Sequence, residues 1–323
     1  MLFELVMLFL LRNPKFLRKL SRKIENSAGY LYAQGDRKIM QFKEGCGCYH
    51  PVLGYTLKPG TFVFTEREFS NAYFINSLGI RDTEEALVRP EIVIVGDSFA
   101  LGWGVNQEET FAKLMERKTK LKTLNTSIPS YGTVREMLML RRVDISNLKC
   151  LIIQYCSDDY DENLRFYLNG NRPQIMRSQT FQDMMTSQSR PNKYFFGKYL
   201  LLKIKKKIEE SRSLTEKTVE DIQLNDVDLF LHVLRQNEDI LSSVPIIVFE
   251  MSGKNQTNIF TIGLKEKMIN SNNPSFIKNL IVPDMLQHLK DEHFYILDDH
   301  LNYQGHIVVA DLLCNVIKKA GII

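Results

Sequence analysis

The sequence predicts an α/β fold: a central parallel sheet covered by helices on both faces, with a small N-terminal β/loop region and a helical insertion. Three observations carry that prediction. Short, mainly apolar runs at residues 92–95, 123–126, 150–155, 244–249 and 294–297 read as strands. Stretches of helical period, "EETFAKLMERKT" and "TVREMLMLRRV", separate the first three runs, and strands alternating with helices mean crossover units and a parallel sheet. The third and fourth runs stand about ninety residues apart, far beyond an ordinary crossover, so an insertion occupies about 160–243.

Along the chain, residues 1–44 read as helical and basic. The apolar run "LFELVMLFLL" is broken only by Glu4 and is followed by "RNPKFLRKLSRK". Ten helical residues reach roughly 15 Å, half the hydrocarbon thickness, so the run does not span a membrane. Its basic residues follow the apolar stretch, the reverse of a signal peptide. That order favours keeping the downstream chain cytoplasmic, at most peripheral at the inner membrane face. Two readings of residues 1–23 stand: an interfacial anchor on anionic headgroups, or a helix packed on the body or on a second subunit. Residues 45–90, with "YHPVLGYTLKPGTFVFTE", are rich in Gly, Pro and aromatics and predict short antiparallel strands or loops. The α/β domain is expected over 91–323.

Inside the insertion, Phe196, Leu200, Ile204 and Ile208 fall four apart, and Lys203, Lys205, Lys206 and Lys207 fill much of the remaining surface. That pattern fits a membrane-touching lid or a helix with a solvated lysine face. "SLTE" at 213–216 has capping-box spacing and predicts the start of a further helix.

Composition excludes some classes. The chain has 323 residues, 44% hydrophobic and 25% charged, with a net charge of +4. Residues 1–43 contribute +6 and the remainder −2, so the body is not a nucleic-acid surface by charge. The five cysteines are odd in number in a large chain, which argues against a disulfide framework. Cys46 and Cys48 are too close for a zinc knuckle and have no second pair, so no metal site is expected.

The candidate chemistry begins at "EIVIVGDSFALGWG". A strand that ends in a tight glycine turn and opens a helix puts a side chain at the carboxyl edge of the sheet, where ligands of open α/β folds bind. Gly96 relaxes the turn, and Asp97 or Ser98 can cap the helix. As a nucleophile, Ser98 needs a base. "FYILDDHLNYQGHIVVADLL" supplies one: a strand at 294–297 ending before His300, then a closing helix. Asp298 is then placed to accept the imidazole N–H and set its tautomer. His306 is the rival histidine, expected on the closing helix to pack or cap.

"VIVGDSFALGWGV", "LNTSIPSYGT", "LIIQYCSDDYDEN" and "DDHLNYQGH" resemble, in order, the four blocks of the SGNH (GDSL-type) hydrolases. "NSLGIRD" at 76–82 resembles a segment that precedes the serine block in one bacterial branch. The resemblance covers roughly 50–160 and 290–320; its serine and histidine blocks are the specific ones. It implies a flavodoxin-like three-layer α/β/α fold and cleavage of acyl esters, on sugars or lipids, through an acyl-serine, with no metal or organic cofactor. Ser98 would be the nucleophile and His300 the base. The family aspartate stands three before the histidine, where this chain has Leu297, so Asp298 is the orienter candidate and Asp299 the fallback. The implied oxyanion hole combines the Ser98 N–H, the N–H of Ser130 at a family glycine position, and Asp158 at a family asparagine position. An ionised Asp158 only accepts hydrogen bonds. It would have to be protonated by burial, or be replaced as donor by a neighbour such as Asn163. The alternatives to a hydrolase are an O-acyltransferase on the same fold and a catalytically impaired binding or scaffold protein.

Overall fold

The computed structural model describes residues 1–189, 194–215, 224–269 and 274–323, without the side chains of 209–215. The chain begins with helix α1 (Leu2–Arg12), a 3-10 segment (Pro14–Lys19) and α2 (Arg22–Gly35). Two antiparallel hairpins follow: β1 (Gly47–His50) with β2 (Gly54–Leu57), then β3 (Gly60–Thr65) with β4 (Ser70–Ile75). The sheet-forming part runs β5 (Ile92–Val95), α3 (Ser98–Leu101), α4 (Phe111–Thr119), β6 (Thr123–Asn125), α5 (Thr133–Leu140) and β7 (Cys150–Tyr155). It continues through α6 (Asp159–Leu168), α7 (Ser178–Ser189), α8 (Lys198–Thr215), α9 (Asp226–Arg235) and α10 (Glu238–Leu241). Last come β8 (Ile246–Glu250), α11 (Ile259–Met268), β9 (Leu280–Ile281) and α12 (Tyr303–Lys319).

The five sheet strands are parallel in the order β6-β5-β7-β8-β9. Every residue of β5, β7 and β8 is buried, because helices cover both faces and neither needs polar side chains. Alternation along the strands divides the core. Val93, Val95, Leu151 and Ile153 join one apolar cluster with Val134, Met137 and Phe230 of α5 and α9. Ile92, Ile94, Cys150 and Ile152 join the other with Phe111, Met115 and Leu313 of α4 and α12. The result is a three-layer α/β/α fold, as predicted. Because β6 and β7 leave β5 on opposite sides, a crevice opens at the carboxyl ends of β5 and β7.

Two predicted elements differ. Residues 294–297 form no sheet strand: Phe294 makes a single antiparallel bridge to Leu301, and the fifth strand is the two-residue β9. The Ile296, Leu297 and Asp298 N–H groups donate instead to the Glu68 carboxylate at 2.7, 2.8 and 3.0 Å. A side chain from the β3–β4 hairpin thus takes the donors a ladder would have used. Ser213 does not open a new helix, since α8 continues through Thr215; Glu216 of the same pattern lies outside the described residues.

The five cysteines are free. Among the described residues no helix is long and apolar enough to cross a membrane.

The segment "NSLGIRD" acts as a brace behind the crevice. Arg81 is buried and donates to the Leu101, Gly102 and Val105 carbonyls at 3.2, 2.6 and 2.7 Å, with its guanidinium 4.0 Å from the Tyr73 ring. It thereby holds the loop that follows α3. Asp82 accepts from the Asn125 N–H at 3.0 Å and pairs with Lys113 at 2.7 Å, fixing the end of β6. Arg81→Met should cost about 3 kcal/mol or more, since it leaves buried carbonyls without donors. The urea midpoint checks this, and an unchanged midpoint would refute it.

Candidate active site

Burial and a close approach shape the turn after β5. A Cβ on Gly96 would stand 2.7 Å from both the Ala100 Cβ and the Gln154 Oε1. Space, rather than a positive φ, therefore demands glycine here. Asp97 caps α3, accepting from the Phe99 N–H at 2.8 Å, and donates its own N–H to Gln154 at 3.0 Å. Burial pushes its carboxyl up to about 6. With capping done by Asp97, the half-buried Ser98 hydroxyl is left to another partner.

That partner is His300. Ser98 Oγ lies 2.7 Å from His300 Nε2, and His300 Nδ1 bonds the Asp298 carboxylate. A carboxylate only accepts, so Nδ1 carries the proton and the neutral ring's Nε2 accepts from the serine hydroxyl. Asp298 is buried, and its second oxygen accepts from Trp103 Nε1 at 3.2 Å. The imidazole stacks on Phe99 and Trp103, with centroids 4.5 and 5.1 Å away. Burial alone would raise the Asp298 pKa, but His300 and Arg37 outweigh it and hold the carboxyl well below its usual range. For His300, burial disfavours the cation, and the Asp298 carboxylate outweighs burial and raises the pKa above 6.5.

Asp299 plays another part. It is exposed, pairs with Arg37 at 3.0 Å and lies 3.5 Å from Nδ1. Oxygens of Asp298 and Asp299 and a ring nitrogen of His300 fall within 4.8 Å of one another. Those atoms, though, already serve the imidazole and the Arg37 guanidinium, which a cation would have to displace. His306 is fully buried on α12 and accepts from the Phe111 N–H at 3.1 Å, a packing role.

A cavity of about 970 Å³ opens beside Ser98 and His300, with Ser130 and Asp158 also in its wall. Ser130 adopts the left-handed conformation, φ +59°, which suits a position where the resemblance has glycine. Its carbonyl accepts from Arg135 and its Oγ from Gln41 at 3.1 Å. Among the described residues, the Ser98 and Ser130 N–H groups donate to no acceptor. Asp158 stands at the N-cap of α6, makes no capping bond and is exposed to the cavity. Partial desolvation, then Asp299 and Asp161, raise its pKa. Asn163 is not an alternative donor: it is fully buried away from the cavity, bonded to Thr133 Oγ1 at 3.2 Å.

Sequence reasoning missed Arg37, Glu68 and Trp103. Trp103 lay in the quoted "ALGWG" stretch, a bulky indole between glycines; Arg37 and Glu68 carried no local signal, because their partners are more than two hundred residues away.

Fold and site together define an α/β protein with a Ser–His–Asp constellation at the carboxyl edge of a parallel sheet. No family model matches the chain, and no curated protein is significantly similar to it. Among solved structures, it is similar to a G-D-S-L family protein described as lipolytic from Desulfitobacterium hafniense DCB-2, with 12% identity and a TM-score of 0.38. That match covers 70% of this chain and 98% of the other. A protein described as an acylhydrolase, from Bacteroides fragilis NCTC 9343, matches with 12% identity, 76% and 92% coverage and a TM-score of 0.37. A family two carbohydrate esterase from Clostridium thermocellum matches with 11% identity, 72% and 64% coverage and a TM-score of 0.42.

Proposed function

We propose that the chain is a serine-dependent acyl-ester hydrolase, with Ser98 as nucleophile, His300 as general base and Asp298 as its orienter. The observation that carries the reading is the 2.7 Å contact from Ser98 Oγ to His300 Nε2, with Asp298 on the other ring nitrogen. Oγ attacks the ester carbonyl while Nε2 takes its proton. The oxyanion is held by the Ser98 and Ser130 N–H groups. His300 then protonates the leaving alkoxide, the C–O bond breaks, and an acyl-Ser98 remains. Water, deprotonated by His300, attacks that ester, and the proton returns to Oγ as the acid leaves. A sugar hydroxyl in the water's place would make the same site an acyltransferase. The chemistry needs no cofactor.

The cavity supports a polar alcohol portion rather than a long lipid chain, because Arg37, Arg135, Asp161, Arg165 and Arg177 are in its wall. An acylated carbohydrate is the substrate class that fits best. A fluorophosphonate probe should label the wild type at Ser98 and leave Ser98→Ala unlabelled; an unlabelled wild type would refute the assignment.

The pH profile is a second check. Only neutral His300 serves as base, and Asp298 favours the imidazolium, so its proton is lost at a higher pH than from an ordinary imidazole. The acid limb of kcat/KM should therefore rise with pH and have its midpoint above 6.5. A midpoint at or below that value would contradict the role given to Asp298.

A further inference from the structure

Glu4 interrupts an otherwise apolar run, and its position has a structural cause. It is buried, and its two carboxylate oxygens accept from the Tyr199 and Leu200 N–H groups at 3.2 and 3.3 Å. These belong to the first turn of α8, whose amides have no partners within the helix, and a carboxylate there also complements the helix dipole. Glu4 thus fastens α1 to α8. The inner side of α1 packs Met7, Leu10 and Leu11 against Leu31 and Tyr32 of α2 and Tyr199 of α8.

The outer side of α1 is apolar as well. Leu2, Leu5, Val6 and Phe9 stand at i, i+3, i+4 and i+7, and all are exposed. On α8, Leu200, Leu201, Ile204 and Ile208 are exposed too. Of the twenty-six exposed large hydrophobics among the described residues, fifteen lie in 1–24 or 194–208. A concentration of that kind on two joined helices marks an interaction surface rather than scattered apolar residues. Around it stand Arg12, Lys15, Arg18, Lys19 and Lys23, exposed and in no ion pair among the described residues. Lys203 reaches over the Phe3 ring at 4.6 Å.

We infer that α1 and α8 form one preassembled surface that docks the protein on an anionic lipid bilayer. Apolar stripes enter the interface, and the cations of residues 12–23 meet the headgroups. Charge selects this occupant over a second copy of the chain. A symmetric contact would bring two identical rims of unpaired cations together, which repel. α1 lies along the surface rather than across it, since its eleven residues are too short to span.

The test uses the full chain and is independent of ester cleavage. Cosedimentation is measured with phosphatidylcholine vesicles, with and without phosphatidylglycerol. Binding should require the anionic lipid, weaken with salt, and fall about tenfold or more in Leu5→Asp/Phe9→Asp and in Lys15→Glu/Lys19→Glu. These four side chains are exposed, so melting temperature and probe labelling at Ser98 should hold. If the apolar double variant misfolds, the charge variant still decides. No binding of wild type to anionic vesicles, or equal binding by wild type and the charge variant, would overturn the inference. So would self-association of the wild type that Leu5→Asp/Phe9→Asp abolishes without any vesicle binding, which would assign the face to a second copy.

Discussion

Replacing Ser98 by alanine is expected to lower kcat on a short-chain aryl ester by about a thousandfold or more. Without Oγ no acyl-enzyme forms, and His300 has no proton to take. What survives is the modest rate that oriented amides and a bound substrate provide for direct attack by water. The fold should tolerate the change. Asp97 still caps α3 through Phe99, and the Trp103 N–H still donates to the backbone carbonyl of residue 98 at 3.1 Å. Equal melting temperatures with a collapsed rate would separate chemistry from folding. Because nucleophile and base act as a unit, His300→Ala should cost nearly as much, and the double variant little more. Retention of a tenth of the wild-type rate by Ser98→Ala would end the acyl-serine account.

The second large effect is a gain. Asp158→Asn is expected to raise kcat about a hundredfold near neutral pH, the value of one side-chain donor to an oxyanion. In the wild type, Asp158 helps only while protonated, and the base helps only while His300 is not. Desolvation, Asp299 and Asp161 raise the Asp158 pKa, and Asp298 raises that of His300. Asp158 loses its donor role as it ionises with rising pH, so the advantage of the variant over the wild type should grow as pH rises. An amide donates at every pH, so the acid limb of the variant should be set by His300 alone. If the wild type is inactive and the variant gains nothing, the cavity serves binding rather than turnover, and the hydrolase reading is lost.

Much of the fold was legible because buried parallel strands advertise themselves. Residues 92–95 are continuously apolar between Glu91 and Gly96, residues 150–155 are apolar but for Gln154, and both observed strands begin and end there. The strand predicted at 294–297 failed for a reason no local pattern carries. Its Ile296 and Leu297 amides are taken by Glu68, more than two hundred residues away in the chain. The true edge strand, β9, is two residues long, too short to show periodicity. At the site, Ser98, His300 and Asp298 announced themselves by residue type beside predicted strand ends. Arg37 and Glu68 did not, because an arginine or glutamate in a loop looks alike whether or not it meets a buried cluster. Glu4 was visible as an intruder in an apolar run, yet its purpose depends on where the first turn of α8 arrives.

By itself, then, the sequence determined the layered α/β architecture, the serine turn after the first sheet strand, and the histidine segment that returns near the C-terminus. These follow from short-range periodicity and turn chemistry, which neighbouring residues encode. The tertiary structure alone decided that hydroxyl and imidazole meet at 2.7 Å, that Asp298 rather than Asp299 holds the ring, and that Asn163 faces away from the cavity. It also joined two separate amphipathic segments into one surface through a single buried carboxylate. Each of these depends on contacts between distant parts of the chain, whose geometry exists only once the sheet, its covering layers and the N-terminal helices have packed together.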